Sequence, residues 1–184
     1  MLNTYVVYVE NKPGVLTRVA SLFRRRAFNI DSLTVGRTEK PEVSRMTITV
    51  DADHDSARRI EANLYKLVNV LLVENITHEP SMVRDLAMIK VAATHEARSH
   101  VLELAEVFRA RVVDVAPESL TIEITGAEDK IDGLLEVLRP YGVLEMVRTG
   151  IVAMRRGKAS TVPAASNGNG LDHDVPGEDV SYSV

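Results

Sequence analysis

The residues best suited to bind a small ligand lie in one short segment near the start of the chain, residues 10–16 (ENKPGVL). This segment leads from an apolar stretch that predicts a strand into a stretch with the apolar spacing of a helix. The first backbone N–H groups of a helix have no partner inside it, and the helix dipole adds positive potential there. A carboxylate is the group that such a helix start favours.

Two positions in this segment, and a third further along the chain, make the prediction more specific. Gly14 lacks the Cβ that would keep a ligand away from the backbone. The amides of Asn11 and Asn29 can donate to a carboxylate and accept from an ammonium group. A free amino acid carries both groups on one carbon, so it fits this set. The alternative interpretation is that Asn and Gly only form a turn, and spacing alone favours that alternative.

Residues that could support catalysis or hold a metal ion are few and scattered. The chain has no Cys, which excludes disulfide bonds and cysteine-ligated zinc. Its five His residues fall in no H-E-x-x-H motif, and no P-loop, G-x-G-x-x-G or G-x-S-x-G pattern occurs. We therefore expect neither a catalytic residue nor a metal site in this chain.

Charge and hydropathy exclude two further classes of function. The net charge is -4, and the body of the chain up to residue 156 is nearly neutral, so there is no electrostatic basis for binding nucleic acid. No run of 18 apolar residues occurs, which argues against a membrane span. The first residues lack the basic and then apolar order of a signal peptide. These patterns predict a cytoplasmic protein.

The first 77 residues show the order βαββαβ. Apolar residues at helical spacing follow Pro13-Gly14, and a second helical pattern begins after Asp53 or Asp55, either of which is suited to cap it. Strands are predicted at residues 3–10, 29–37, 44–51 and 69–76.

The same order recurs in the second half of the chain. Strands are predicted at residues 86–93, 111–116, 119–125 and 143–152. Placing Phe23 over Phe108 puts Gly14 on Ser99 and Asn11 on Glu96. The second turn then has no glycine and gains a carboxylate, so only the first repeat is expected to bind an amino acid.

The predicted fold class is α+β, with two tandem ferredoxin-like βαββαβ domains. We place the domains at residues 1–77 and 85–156, joined by a linker at 78–84. Residues 157–184 are rich in Gly, Ser, Pro and Asp and are predicted to be a disordered tail.

The combination G-x-L-x-R-V, N-I-x-S-L-T-V and S-R-M-T, found in residues 10–50, resembles the ACT domain that opens the small regulatory subunit of acetolactate synthase. The resemblance continues to about residue 156. It implies a non-catalytic subunit that stimulates the catalytic subunit and confers feedback inhibition by valine, or by leucine or isoleucine. The cofactors implied are those of the catalytic partner: thiamine diphosphate, Mg and FAD.

The resemblance also implies the residues of the ligand site. By motif position these are Asn11, Gly14 and Asn29, with the backbone of Val15, Leu16 and Ile30 completing the pocket. In such a domain the second strand lies at a sheet edge. Pairing of two such edges in a homodimer would bring residues 29–30 of one chain beside residues 11–16 of the other.

Three alternatives share parts of this pattern. An RNA-binding module has the βαββαβ order, but it needs stacking aromatic residues that the third predicted strand lacks. An ACT protein that regulates a different enzyme or a transcription system has the same fold. A small stand-alone enzyme such as an acylphosphatase has it as well.

Overall fold

The computed structural model describes residues 1–157 and contains two domains of the predicted class. The predicted tail, from Lys158 onward, lies outside the described residues. The first domain comprises β1 (Leu2–Glu10), α1 (Val15–Arg25), β2 (Ile30–Arg37), β3 (Val43–Asp51), α2 (His54–Leu64) and β4 (Val70–Asn75). The second comprises β5 (Ser81–Ala92), α3 (Arg98–Val107), β6 (Arg111–Val115), β7 (Ser119–Gly126), α4 (Glu128–Leu138), β8 (Val143–Arg148) and β9 (Val152–Arg155).

The first domain is an antiparallel sheet with one face covered by its two helices. The strand order is β2-β3-β1-β4, so β2 lies at an edge as the family resemblance implies. The predicted apolar face of β3, Met46, Ile48 and Val50, is buried in the core. It packs with the side of α1 that carries Val19 and Phe23, because residues four apart share one face of a helix. The apolar face predicted for the strand and the apolar face predicted for the helix therefore lie in the same core.

Helix α2 begins where the sequence predicts a cap. Asp53 is the N-cap residue, and its carboxylate accepts a 2.7 Å hydrogen bond from the backbone N–H of Ser56. That bond satisfies one of the N–H groups that the helix itself leaves unpaired. It also holds the pKa of the Asp53 carboxyl below its ordinary value. Of the two candidate caps, the structure selects Asp53.

The second domain repeats the topology, with strand order β6-β7-β5-β8. Its core is formed by alternate residues of β5 and β7 together with one face of each helix. The fully buried large side chains are Ile89, Leu120, Ile122, Ile124, Ile131 and Leu134.

Two predictions in this half of the chain are wrong, one for the linker and one for the last strand. Residues 81–84, assigned to the linker, form the first part of β5 and pair with β9 from Ser81↔Arg155 to Arg84↔Val152. The single strand predicted at 143–152 is two strands, because the chain bends at Gly150, which has φ +86°. One long strand, β5, therefore pairs with β8 over its second half and with β9 over its first.

The structure also corrects the alignment of the two repeats. Helices α1 and α3 each end in a Schellman motif with a left-handed residue, Ala27 at φ 56° and Arg109 at φ 52°. Matching these two residues makes Phe23 equivalent to Ala105, three residues from the Phe108 chosen from the sequence. Gly14 then corresponds to Glu96 rather than Ser99, and Asn11 corresponds to Ala93.

The two domains contact each other along what we call the domain seam, formed by the helix-free face of the first sheet and residues 149–155. Its apolar part contains Val6, Ile76, Ile151 and Ala153, all buried. In its polar part, Thr34 and Arg45 of the first domain donate to the carbonyls of residues 149 and 153, and the N–H of Ile151 donates to Ser32. The first sheet is therefore covered on both faces.

Candidate functional site

The turn between β1 and α1 contains a glycine in the left-handed region and leads directly into the helix. Gly14 is the residue before the helix and lies in the left-handed region at φ 80° and ψ -5°. A Cβ placed on it would meet no atom within 4 Å, so the space beside it is open. No side chain of residues 1–157 caps the helix, and the Arg18 N–H donates to the Gly14 carbonyl at 3.1 Å. The helix start is thus exposed and available to an external acceptor.

Asn11 sits on the same turn and is held in place by the β2–β3 connection. Its backbone N–H donates to the Glu42 carbonyl at 2.7 Å, and its amide Nδ2 donates to the Pro41 carbonyl at 2.9 Å. The amide oxygen keeps its acceptor capacity toward solvent, since the residue is exposed. Val15 is buried in the core, and Leu16 is exposed beside the turn.

Asn29 and Ile30 lie at the other end of the sheet in the same chain. Ile30 pairs with Val50, which pairs in turn with Asn3 at the start of β1. Asn11 follows Glu10 at the end of β1. Asn3 and Asn11 are eight residues apart, so the two ends are separated by roughly 26 Å at about 3.3 Å per residue. One chain therefore brings Asn11, Gly14, Val15 and Leu16 together but does not bring Asn29 and Ile30 to them.

A polar network beneath the turn was missed by the sequence analysis. The Glu10 carboxylate is 8% exposed and accepts hydrogen bonds from Asn69 Nδ2 and, at 3.1 Å, from Lys12 Nζ. Asn69 Oδ1 accepts from the Arg18 guanidinium at 2.6 Å. The network ties the end of β1 to α1 and to the start of β4. The sequence did contain one signal for this network. Glu10 ends a predicted strand that is mostly apolar, and a carboxylate buried there needs hydrogen-bond partners.

The first testable consequence is the ionisation of Glu10. The hydrogen bond from Asn69, followed by that from Lys12, holds the pKa of the Glu10 carboxyl below its ordinary value. A lowered folded-state pKa contributes stability that is present above the unfolded-state pKa and lost as the pH falls through the folded-state pKa. NMR titration should find this low pKa. It should rise toward the ordinary value in Asn69→Ala and rise less in Lys12→Ala.

The corresponding turn of the second domain carries different side chains. Glu96 stands where the first domain has Gly14. Arg98, at the position of Leu16, folds over the turn and donates to the carbonyls of Ala93, Ala116 and Pro117 at 3.3, 2.7 and 2.6 Å. The carboxylate of Glu96 disfavours an incoming carboxylate at this turn.

A polar cleft of about 390 Å³ lies where β2 faces the second domain. On one side are Asp31 and Ser32, and on the other Asp85, Arg148 and Gly150. Asp85 is buried and accepts a 2.6 Å hydrogen bond from Arg148 Nε. Burial lowers the pKa of Arg148, but its acidic neighbours, Asp85 first, outweigh this effect and raise the pKa overall, so the guanidinium stays charged.

Within residues 1–157, no three His, Asp or Glu side chains are grouped closely enough to hold a metal ion. No helix in this part of the chain is both long and apolar enough to cross a membrane.

Two family profiles match the chain. Residues 6–72 match the "AHAS small subunit-like ACT domain", and residues 84–157 match the "Small subunit of acetolactate synthase". The two matches fall on the two domains of the structure.

Individual proteins agree with the profiles. A probable acetolactate synthase small subunit of Archaeoglobus fulgidus is 51% identical over 85% of this chain and 98% of its own length. The acetolactate synthase small subunit of Mycolicibacterium smegmatis is 48% identical over 84% of this chain and 91% of its own length. The crystal structure of the acetolactate synthase small subunit of Thermotoga maritima superposes with a TM-score of 0.80 at 41% identity, covering 86% of this chain and 99% of that one. This chain belongs to the acetolactate synthase small-subunit family, and its first domain is an ACT domain.

Proposed function

We propose that this chain is a regulatory subunit that binds valine, or a related branched-chain amino acid, and makes a catalytic acetolactate synthase subunit sensitive to it. The observation that carries the proposal is the open, uncapped start of α1 at Gly14, next to the amide of Asn11. The ligand carboxylate binds the helix start, and the amide oxygen of Asn11 accepts from the ligand ammonium group. The exposed side chain of Leu16 offers apolar contact for a branched side chain.

The complete site requires two copies of the chain. Asn29 and Ile30 lie at the wrong end of the sheet to reach the Gly14 turn of their own chain. Edge strand β2 pairs only with β3 among the described residues. If two copies pair antiparallel through β2, the two-fold axis exchanges the ends of the sheet. The Asn29 end of one chain then lies at the Gly14 end of its partner, and the exposed edge is covered.

The partner is the catalytic subunit, in a cytoplasmic complex. We assign the reaction and its cofactors, thiamine diphosphate, Mg and FAD, to that partner and none to this chain. Valine changes activity by binding one arrangement of the complex more tightly than another, and the size of its effect is limited by that difference in affinity.

The test is acetolactate formation by the catalytic subunit encoded by the same organism, measured with and without this chain while valine is titrated. We expect the chain to raise the rate and to introduce inhibition by valine. Leucine and isoleucine, titrated in parallel, rank the ligands. An unchanged rate together with unchanged valine sensitivity would contradict the proposal. Stimulation without inhibition by any of the three amino acids would contradict only the sensor role.

A further inference from the structure

Strand β2 is irregular where it carries its part of the proposed ligand site. The register with β3 shifts between Ile30 and Ser32, so Asp31 forms a bulge directly after the site residues. A bulge bends the strand and redirects the side chains beside it. Among the described residues β2 has one strand neighbour, so the sheet alone constrains this segment weakly.

The second domain holds β2 just beyond this bulge. Ser32 Oγ accepts a 2.9 Å hydrogen bond from the backbone N–H of Ile151. Thr34 Oγ1 donates to the Thr149 carbonyl at 3.4 Å, a weaker contact. Both contacts come from the bend between β8 and β9, residues 149–151.

This bend is itself fixed to the body of the second domain. Thr149 Oγ1 donates to Asp85 Oδ1 at 3.1 Å, and the other carboxylate oxygen of Asp85 accepts from Arg148. Asp85 is 3% exposed. A buried carboxylate with two partner groups in fixed geometry makes a rigid anchor, because leaving either of its oxygens unpaired is costly.

Gly150 fits the bend closely against β2. Its φ of +86° is one that other residues adopt with strain, and a Cβ there would lie 2.6 Å from Ser32 Oγ and 3.1 Å from Thr34 Oγ1. Any side chain at this position therefore pushes directly on β2.

From this geometry we infer that residues 149–151 of the second domain position the Asn29–Ile30 half of the amino-acid site by holding β2 at Ser32. The inference rests on the proposed function and deepens it. It gives the second domain a role in ligand binding although its own turn carries the carboxylate of Glu96 in place of a glycine. Ser32 and Gly150 are positioning residues that act on the ligand through β2 and do not touch it.

The experiment is calorimetric titration of the full chain with valine, for the wild type, Ser32→Ala and Gly150→Ala. We expect the Kd for valine to rise about fivefold in Ser32→Ala, at the lower end of typical coupling between sites, and more in Gly150→Ala. Thr121→Ala is the matched control. It removes a hydroxyl from β7 in the second domain, away from the seam, and should leave the Kd unchanged.

Hydrogen exchange of the Ile151 amide distinguishes a role in positioning the ligand site from a purely structural role of the seam. Coupling is reciprocal, so valine should slow exchange of the Ile151 amide in the wild type by a similar factor and have little effect on it in Ser32→Ala. Equal Kd values for the wild type and both seam variants, with Ile151 exchange insensitive to valine, would overturn this inference alone. Failure of the wild type to bind valine, leucine or isoleucine would overturn the proposed function and this inference with it.

Discussion

Gly14→Asp should abolish valine binding while leaving the chain folded. The new carboxylate would stand in the open space beside the helix start, where the proposal puts the ligand carboxylate. Two like charges about 4 Å apart repel by about 4 kcal/mol at an effective dielectric constant of about 20, which corresponds to roughly a thousandfold in Kd. Titration calorimetry should show no valine binding at millimolar ligand, and the stimulated catalytic subunit should become insensitive to valine.

Two further substitutions separate charge from shape and strain. Gly14→Asn adds a side chain of the same size without the charge, and we expect it to weaken binding much less. Gly157→Asp adds the same carboxylate at another glycine with a positive φ, +77°, where a Cβ would meet no atom of the described residues within 4 Å. It should leave the Kd for valine unchanged. Normal valine inhibition in Gly14→Asp would remove the β1–α1 turn from the proposed site.

Arg148→Ala should produce the largest loss of stability among substitutions at the cleft. It leaves the buried carboxylate of Asp85 without its charged partner, and breaking a buried pair in this way costs about 3 kcal/mol. The guanidinium also approaches Asp132 at 3.0 Å, but that carboxylate is exposed and adds little. Urea denaturation of the full chain should show the decrease in the free energy of unfolding.

The matched control is Lys90→Ala in the same domain. Lys90 pairs with Glu145 at 3.5 Å, and because the Glu145 side chain is exposed and that of Lys90 is only half-buried, its removal should cost under about 1 kcal/mol. Arg148→Lys should fall between the two, because it keeps the charge but cannot reproduce the arginine geometry. If Arg148→Ala were no less stable than Lys90→Ala, the Asp85 anchor described above would have no energetic basis.

The fold could be predicted from the sequence wherever one face of an element is apolar. Met46, Ile48 and Val50 alternate on β3, and their burial fixes both the strand and the side of the sheet that the helices cover. The edge position of β2 follows from the family resemblance, and the strand order confirms it. A cap at Asp53 or Asp55 was predictable because few residue types can fill that role, and the structure selects Asp53.

Other features depend on contacts that local pattern does not encode. The first part of β5 follows Pro80 and pairs with a strand about seventy residues away, so its pairing is set by the second domain. The repeat alignment was misled by two phenylalanines, whereas the structural landmarks, Ala27 and Arg109, lack the usual glycine. At the site, the turn of residues 11–16 was recognisable from its glycine and its helix start. The Glu10 network and the seam contacts of Ser32 become evident only in three dimensions.

The placement of Asn11 and Asn29 at opposite ends of one sheet has a consequence for mixtures of subunits. In the proposed dimer each of the two equivalent sites takes one half from each chain. A chain defective at Gly14 and a chain defective at Asn29 would each form dimers without a working site. When the two are mixed, every heterodimer contains one site with both defects and one with neither. Mixing two chains that are each insensitive to the amino acid would then partly restore the sensitivity. Dilution below the dimer dissociation constant would abolish this restored sensitivity.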